Sequence, residues 1–136
     1  MTAIVVDTSA IIAILRDEPE KDRLVDAILA ASPRLMSAVS LQEAGMVMAG
    51  RSGNETVWEP LDALLVRLDM EIVAHDAGLS RIAREAFLRF GKGRHAARLN
   101  FGDCAAYALA KANHLPLLFK GDDFAKTDIA AALSDE

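Results

Sequence analysis

The stretch Ala3-Ile4-Val5-Val6-Asp7-Thr8-Ser9 joins an unbroken apolar run to three residues that favour helix N-caps. An apolar run of this kind suits a strand buried on both faces, as in a parallel sheet. Ala10 to Leu15 then read as a short helix, stopped by Asp17-Glu18-Pro19. The strand-then-helix order recurs downstream. Glu20 to Ala31 form a helix whose Leu24, Ile28 and Ala31 share one stripe. Arg34 to Ala38 read as a strand, and Ser40 opens a helix to about Arg51. Thr56 to Leu68 are helical, with Pro60 tolerated near the first turn. Glu71 to Ala74 are a third strand, and Asp76 caps a helix over Ala77 to Phe90. Gly91-Lys92-Gly93-Arg94-His95 reads as a flexible basic loop. Gly102 to Asn113 are helical, Pro116 to Phe119 are the fourth strand, and a short helix follows Thr127-Asp128. Alternation of this type predicts an α/β fold, a short and mainly parallel sheet flanked by helices on both faces.

The chain has 136 residues, 52% of them hydrophobic and 26% charged. That is the size of one domain, 1–136, with enough apolar mass to form a core and no signature of disorder. A single cysteine, Cys104, rules out an intrachain disulfide and lies in an apolar helical stretch, so a buried free thiol is expected. No apolar run approaches the roughly 18 residues of a membrane span, and the N-terminus lacks the basic region of a signal peptide. A cytoplasmic protein without a membrane partner is the expectation. The net charge of −5 argues against simple nonspecific nucleic-acid binding. Yet Arg81, Arg84, Arg89, Lys92, Arg94 and Arg98 face only Glu85 between Ser80 and Asn100. Such a basic strip could hold a polyanion beside a carboxylate cluster, or be an ordinary solvated face.

Four acidic positions stand at helix starts or strand ends: Asp7, Glu43, Asp103 and Asp122. Each has a plain structural use. Asp7 could cap the first helix. Glu43 could close a capping box with Ser40. Asp103 could meet the positive end of a helix dipole. Asp122 and its neighbour Asp123 could be turn residues. Together they occupy the places that line the carboxyl edge of a parallel sheet, where ligands bind in such folds. Carboxylates gathered there would repel one another without a cation, and oxygen-only ligands suit Mg²⁺ or Mn²⁺. Other chemistries find no support. His75, His95 and His114 are scattered, the Gly91 loop lacks the P-loop pattern, and no G-x-S-x-G elbow is present.

Four blocks carry a resemblance: Ile4-Val5-Val6-Asp7-Thr8-Ser9-Ala10, Ser37-Ala38-Val39-Ser40-Leu41-Gln42-Glu43, Leu99 to Ala108 and Pro116 to Asp128. In this order the chain resembles the PIN-domain ribonucleases, and among them the VapC-type toxins. The resemblance implies an acidic pocket that binds Mg²⁺ or Mn²⁺ and hydrolyses RNA phosphodiesters. Asp7 and Asp103 would be metal ligands, Glu43 would orient the metal or its water, and Asp122 would complete the pocket, with Asp123 an alternative. Thr8 would supply a supporting hydroxyl. The resemblance also implies a VapB-like antitoxin that inserts a basic side chain among the carboxylates, and a homodimer. Leu24-Val25-Ile28-Leu29 and Met46-Val47-Met48 could supply the dimer surface or belong to the core. Lys92, Arg94 and Arg98 are placed by their charge as a guide for the RNA backbone. The competing expectations are a noncatalytic Mg²⁺-binding domain of the receiver type, or a PIN-like module that only binds RNA.

Overall fold

A computed structural model describes residues 1–133, with side chains at all of them except 51 and 52. Strands β1 (Ile4–Val6), β2 (Arg34–Ser37), β3 (Glu71–Val73) and β4 (Leu117–Leu118) form one sheet in the order β3-β2-β1-β4. Every pairing is parallel, with Val5 opposite Leu35 on one side and opposite Leu117 on the other. The apolar run that suggested a strand buried on both faces is the second of the four in the sheet, counted from β4, and all three of its residues are buried.

Alternation along the strands divides the core in two. Ile4, Val6, Met36 and Leu118 face a cluster completed by Ile11, Leu24, Ile28, Leu61 and Leu65. These come from α1 (Thr8–Leu15), α2 (Lys21–Leu29) and α4 (Trp58–Arg67). Val5, Leu35 and Leu117 face a second cluster with Ala86, Phe90, Tyr107 and Leu109. These come from α5 (Ala77–Phe90) and α6 (Phe101–Asn113), while α3 (Ala38–Ser52) follows β2. Helices therefore cover both faces, as alternation predicts. Leu24 and Ile28 are core residues, whereas Met46 is exposed.

The chain leaves β1 towards β2 and β3, then returns to place β4 on the other side of β1. The crevice between the carboxyl ends of β1 and β4 is thus the switch point where doubly wound sheets bind ligands. Parallel pairing also makes α6 run back before β4, so its N-terminus reaches the same edge. The start of α3, directly after β2, reaches it too.

Three local expectations change. The helix after β2 begins at Ala38, because Ser37 ends the strand and caps the helix, its Oγ accepting from Val39 N at 3.1 Å. Ser40 is consequently inside the helix and fully buried, and no Ser40–Glu43 capping box forms. The basic loop is not a free excursion. Lys92 N donates to Leu99 O, Leu99 N donates to Phe90 O, and Ala97 and Leu99 are buried beneath it. No helix follows Asp128 among the described residues. A 3-10 turn lies earlier, at Phe124–Lys126. Asp128 is instead held by Tyr107 Oη at 2.6 Å and Lys111 Nζ at 3.0 Å, and the chain runs on beside β4, with Leu117 N donating to Ala130 O.

Candidate metal centre

Asp7 lies one residue past β1 and caps α1. Its Oδ2 accepts from Ser9 N at 3.0 Å and from Ser9 Oγ at 2.7 Å. Its Oδ1 is buried and has no hydrogen-bond partner, in a residue only 2% exposed. Burial pushes the Asp7 carboxyl up from 3.8 to about 7, against the two bonds from Ser9, with Asp103 and Glu43 adding like charge. A buried carboxylate oxygen left without a donor is costly unless a proton or a cation meets it.

Asp103 is the third residue of α6 and does two jobs. Its Oδ2 accepts from Asn100 N at 3.0 Å while Asn100 Oδ1 accepts from Asp103 N at 2.9 Å, a complete capping box. Burial raises its carboxyl to about 6, opposed by the Asn100 bond and reinforced by the charges of Glu43 and Asp123. Glu43, on α3, lays its carboxylate against the first turn of α6. A β-carbon at Gly102 would stand 2.6 Å from Glu43 Oε1, so only glycine leaves that carboxylate its place.

Asp7, Glu43 and Asp103 line one open depression, together with Glu18 and two cations, Arg16 and Lys120. Asp122 does not join them. The chain turns at Gly121, whose φ of 102° is left-handed, and Asp122 lines a neighbouring cavity with Glu20, Arg23 and Phe119. Of the two adjacent aspartates, Asp123 is the one whose charge Asp103 feels. Thr8 lines the depression beside Asp7. Its Oγ1 donates to Ser40 O at 3.0 Å and ties α1 to α3, while Ser9 holds Asp7.

Sequence reasoning assigned no site role to Lys120, one residue past the fourth expected strand, or to Arg16 and Glu18 at the end of the first helix. Lys120 N donates to Ser9 Oγ at 3.0 Å, and its Nζ pairs with Glu18 at 3.0 Å and Glu20 at 3.3 Å. None of Lys92, Arg94 and Arg98 lines the depression. Neither do the histidines. Cys104 is a buried free thiol, its titration pushed up to about 11 by burial and by the charge of Asp103.

Among the described residues no three carboxylate, imidazole or thiol groups close on a single point. A small divalent ion does not need three. Mg²⁺ is commonly held by one or two carboxylates, with water and substrate phosphate supplying the rest. The unpartnered Asp7 Oδ1, the raised Asp103 carboxyl beside it and an all-oxygen donor set fit such an ion.

The chain matches the family described as PIN domain over residues 4–130. The chain belongs to the PIN-domain family. A Ribonuclease VapC of Mycolicibacterium smegmatis is 48% identical over 127 residues, covering 93% of this chain and 98% of that protein. Ribonuclease VapC30 of Mycobacterium tuberculosis is 48% identical over 126 residues, covering 93% and 95%. Among solved structures, VapC20 of M. tuberculosis, described as a sarcin-ricin loop cleaving toxin, superposes with a TM-score of 0.71 at 20% identity over 93% and 96% of the two chains. VapBC-5 of the same organism, a member of the VapBC toxin–antitoxin systems, gives 0.65 at 25% identity over 98% and 97%. The family match spans all four of the blocks that carried the resemblance.

Proposed function

We propose that this PIN domain, spanning 1–136, is a Mg²⁺- or Mn²⁺-dependent endoribonuclease that hydrolyses RNA phosphodiester bonds as the toxin of a toxin–antitoxin pair. The observation that carries the reading is Asp7: buried, half unpartnered, and set beside Asp103 and Glu43 at the switch point of a parallel sheet. Relatives named as VapC ribonucleases, at 48% identity over nearly their whole length, support the activity and substrate class.

Asp7 and Asp103 would hold the ion. When bound, it would supply Lewis-acid polarisation and neutralise charge that builds at the scissile phosphate. Ser9 fixes Asp7 by occupying Oδ2 and leaving Oδ1 to the pocket. Glu43 adds a carboxylate that can orient water or accept its proton. Asp123 contributes negative charge near Asp103, and Asp122 is the weaker choice for that role because it lines the next cavity.

A VapB-like antitoxin is the proposed protein partner, supported by solved VapBC assemblies that share this fold. A guanidinium entering the depression would meet carboxylates able to bind it bidentately. The proposed homodimer has a candidate surface in the exposed side chains of Met46, Leu88 and Phe101. Among the described residues no helix is long and apolar enough to cross a membrane, which suits the cytoplasmic location we propose.

The test is incubation with total cellular RNA and Mn²⁺, followed by mapping of the cut ends. Discrete new ends that vanish with a chelator are expected. Intact RNA under all divalent conditions would remove the reading.

A further inference from the structure

Lys120 is unusual for a surface lysine in how firmly its root is fixed. Its backbone N–H donates to Ser9 Oγ, and the Ser9 hydroxyl donates in turn to Asp7 Oδ2. The start of the side chain is therefore registered to the carboxylate at the centre of the site. The ammonium itself sits between Glu18 Oε1 at 3.0 Å and Glu20 Oε2 at 3.3 Å, with about a third of each side chain exposed. Lys120 lines both the acidic depression and the adjoining cavity that holds Asp122.

The depression presents a problem for an anionic substrate. Four carboxylates line it, those of Asp7, Glu18, Glu43 and Asp103, against two cations. A phosphodiester entering there needs positive charge from the protein as well as from any ion. Arg16 can give it directly, since it forms no ion pair with a described residue. Lys120 is the second source, and its present partners are replaceable. Part-exposed ion pairs of this kind contribute little net stability, and the lysine stem is long and flexible. The basic strip on α5 and the loop after it does not line the depression and cannot do this work at the carboxylates.

We propose that Lys120 binds a phosphate of the RNA substrate, and that Glu18 and Glu20 hold it in reserve in the free protein. The inference rests on the nuclease reading above. Exchange of two carboxylates for a phosphate keeps the ammonium paired throughout. Glu18 and Glu20, each about a third exposed, then take water in its place.

The test measures the affinity of a short single-stranded RNA in EDTA by fluorescence anisotropy over a range of KCl, so that cleavage plays no part. Lys120→Met should weaken binding about tenfold and lower the log–log salt slope by about 0.7, the loss of one phosphate contact. Lys120→Arg should keep most of the affinity. The double variant Glu18→Gln, Glu20→Gln should bind RNA more tightly than the unaltered protein, and most of that gain should vanish when Lys120→Met is added, which simple removal of negative charge would not do. Unchanged binding in a folded Lys120→Met, or weakened binding in the double variant, overturns the inference. If the unaltered protein cuts RNA while Lys120→Met binds normally, the inference alone fails. If the unaltered protein neither binds nor cuts RNA, the nuclease reading fails and the inference with it.

Discussion

Asp7 carries two opposed demands. The fold buries it, and the proposed chemistry needs it charged. In the metal-free protein its carboxyl sits near 7, against 3.8 when free. A carboxyl raised in the folded state binds a proton that the unfolded chain has already released. Metal-free stability should therefore fall as pH rises from about 4 to about 7, and stay low above that. Asp7→Asn keeps the acceptor that caps α1 and removes the charge. Its melting temperature in EDTA at pH 8 should exceed that of the unaltered protein by several degrees, and the gap should close near pH 4. Differential scanning calorimetry at the two pH values checks this. Gly102 offers a second test. The atoms that a β-carbon there would meet are the far end of the Glu43 side chain, which can move. Gly102→Ala should leave the melting temperature nearly unchanged and cut RNA cleavage by tenfold or more, because Glu43 is displaced. Normal cleavage would show that the Glu43 carboxylate need not lie where it does. At this scale the sequence named Asp7, Glu43 and Asp103 correctly as neighbours. It left Asp122 and Asp123 as alternatives and assigned no site role to Ser9 or Lys120, because these placements depend on how the turn after β4 folds back on α1.

Elements were legible where periodicity and caps agreed. Asp76 caps α5 as expected, its Oδ1 accepting from Leu79 N at 2.9 Å. The S-x-x-E pattern misled at Ser40, because a second serine three residues earlier already ended the strand and capped the helix. The true capping box, Asn100 with Asp103, uses a residue that the site also claims. No sequence pattern marked Arg34, yet its guanidinium ties three elements. It donates to Ala31 O at 2.9 Å, Leu68 O at 2.8 Å and Leu29 O at 3.1 Å, closing the ends of α2 and α4 onto β2. A lysine cannot span three carbonyls with a planar fork. Arg34→Lys should cost about 1–3 kcal/mol in urea unfolding, as hydrogen bonds from a charged donor are lost. A loss within error of zero would mean that packing alone seats these helix ends.

At the scale of the molecule, the sheet order does the assembling. One strand returning to the far side of β1 creates the crevice, and the helices on opposite faces bring Glu43 and Asp103 to its rim. That topology follows from alternation, which the sequence displays plainly. The path of the C-terminal segment does not, because it depends on one long-range knot. Burial works against the charge of Asp128, but Tyr107, Lys111 and Arg89 outweigh it and hold its carboxyl below 3.8. A lowered carboxyl contributes stability that is present above the unfolded value and is lost as pH falls through the folded one. Acid below pH 4 should therefore loosen this segment from α5 and α6. The effect is modest because the carboxylate is partly solvated. Asp128→Asn should lower stability at neutral pH and flatten the acid limb of the melting profile. An acid limb identical to that of the unaltered protein would assign the anchoring to other contacts.

All three scales meet in one claim, that the carboxylates at the crevice serve a divalent ion in cutting RNA. The most direct measurement compares the unaltered protein with Asp7→Asn on one end-labelled RNA in Mn²⁺, after calorimetry has shown the variant folded. Discrete cuts by the unaltered protein and a loss of at least a hundredfold in the variant are expected, although in EDTA at pH 8 the variant should melt higher. Equal cleavage by a folded Asp7→Asn would contradict the claim.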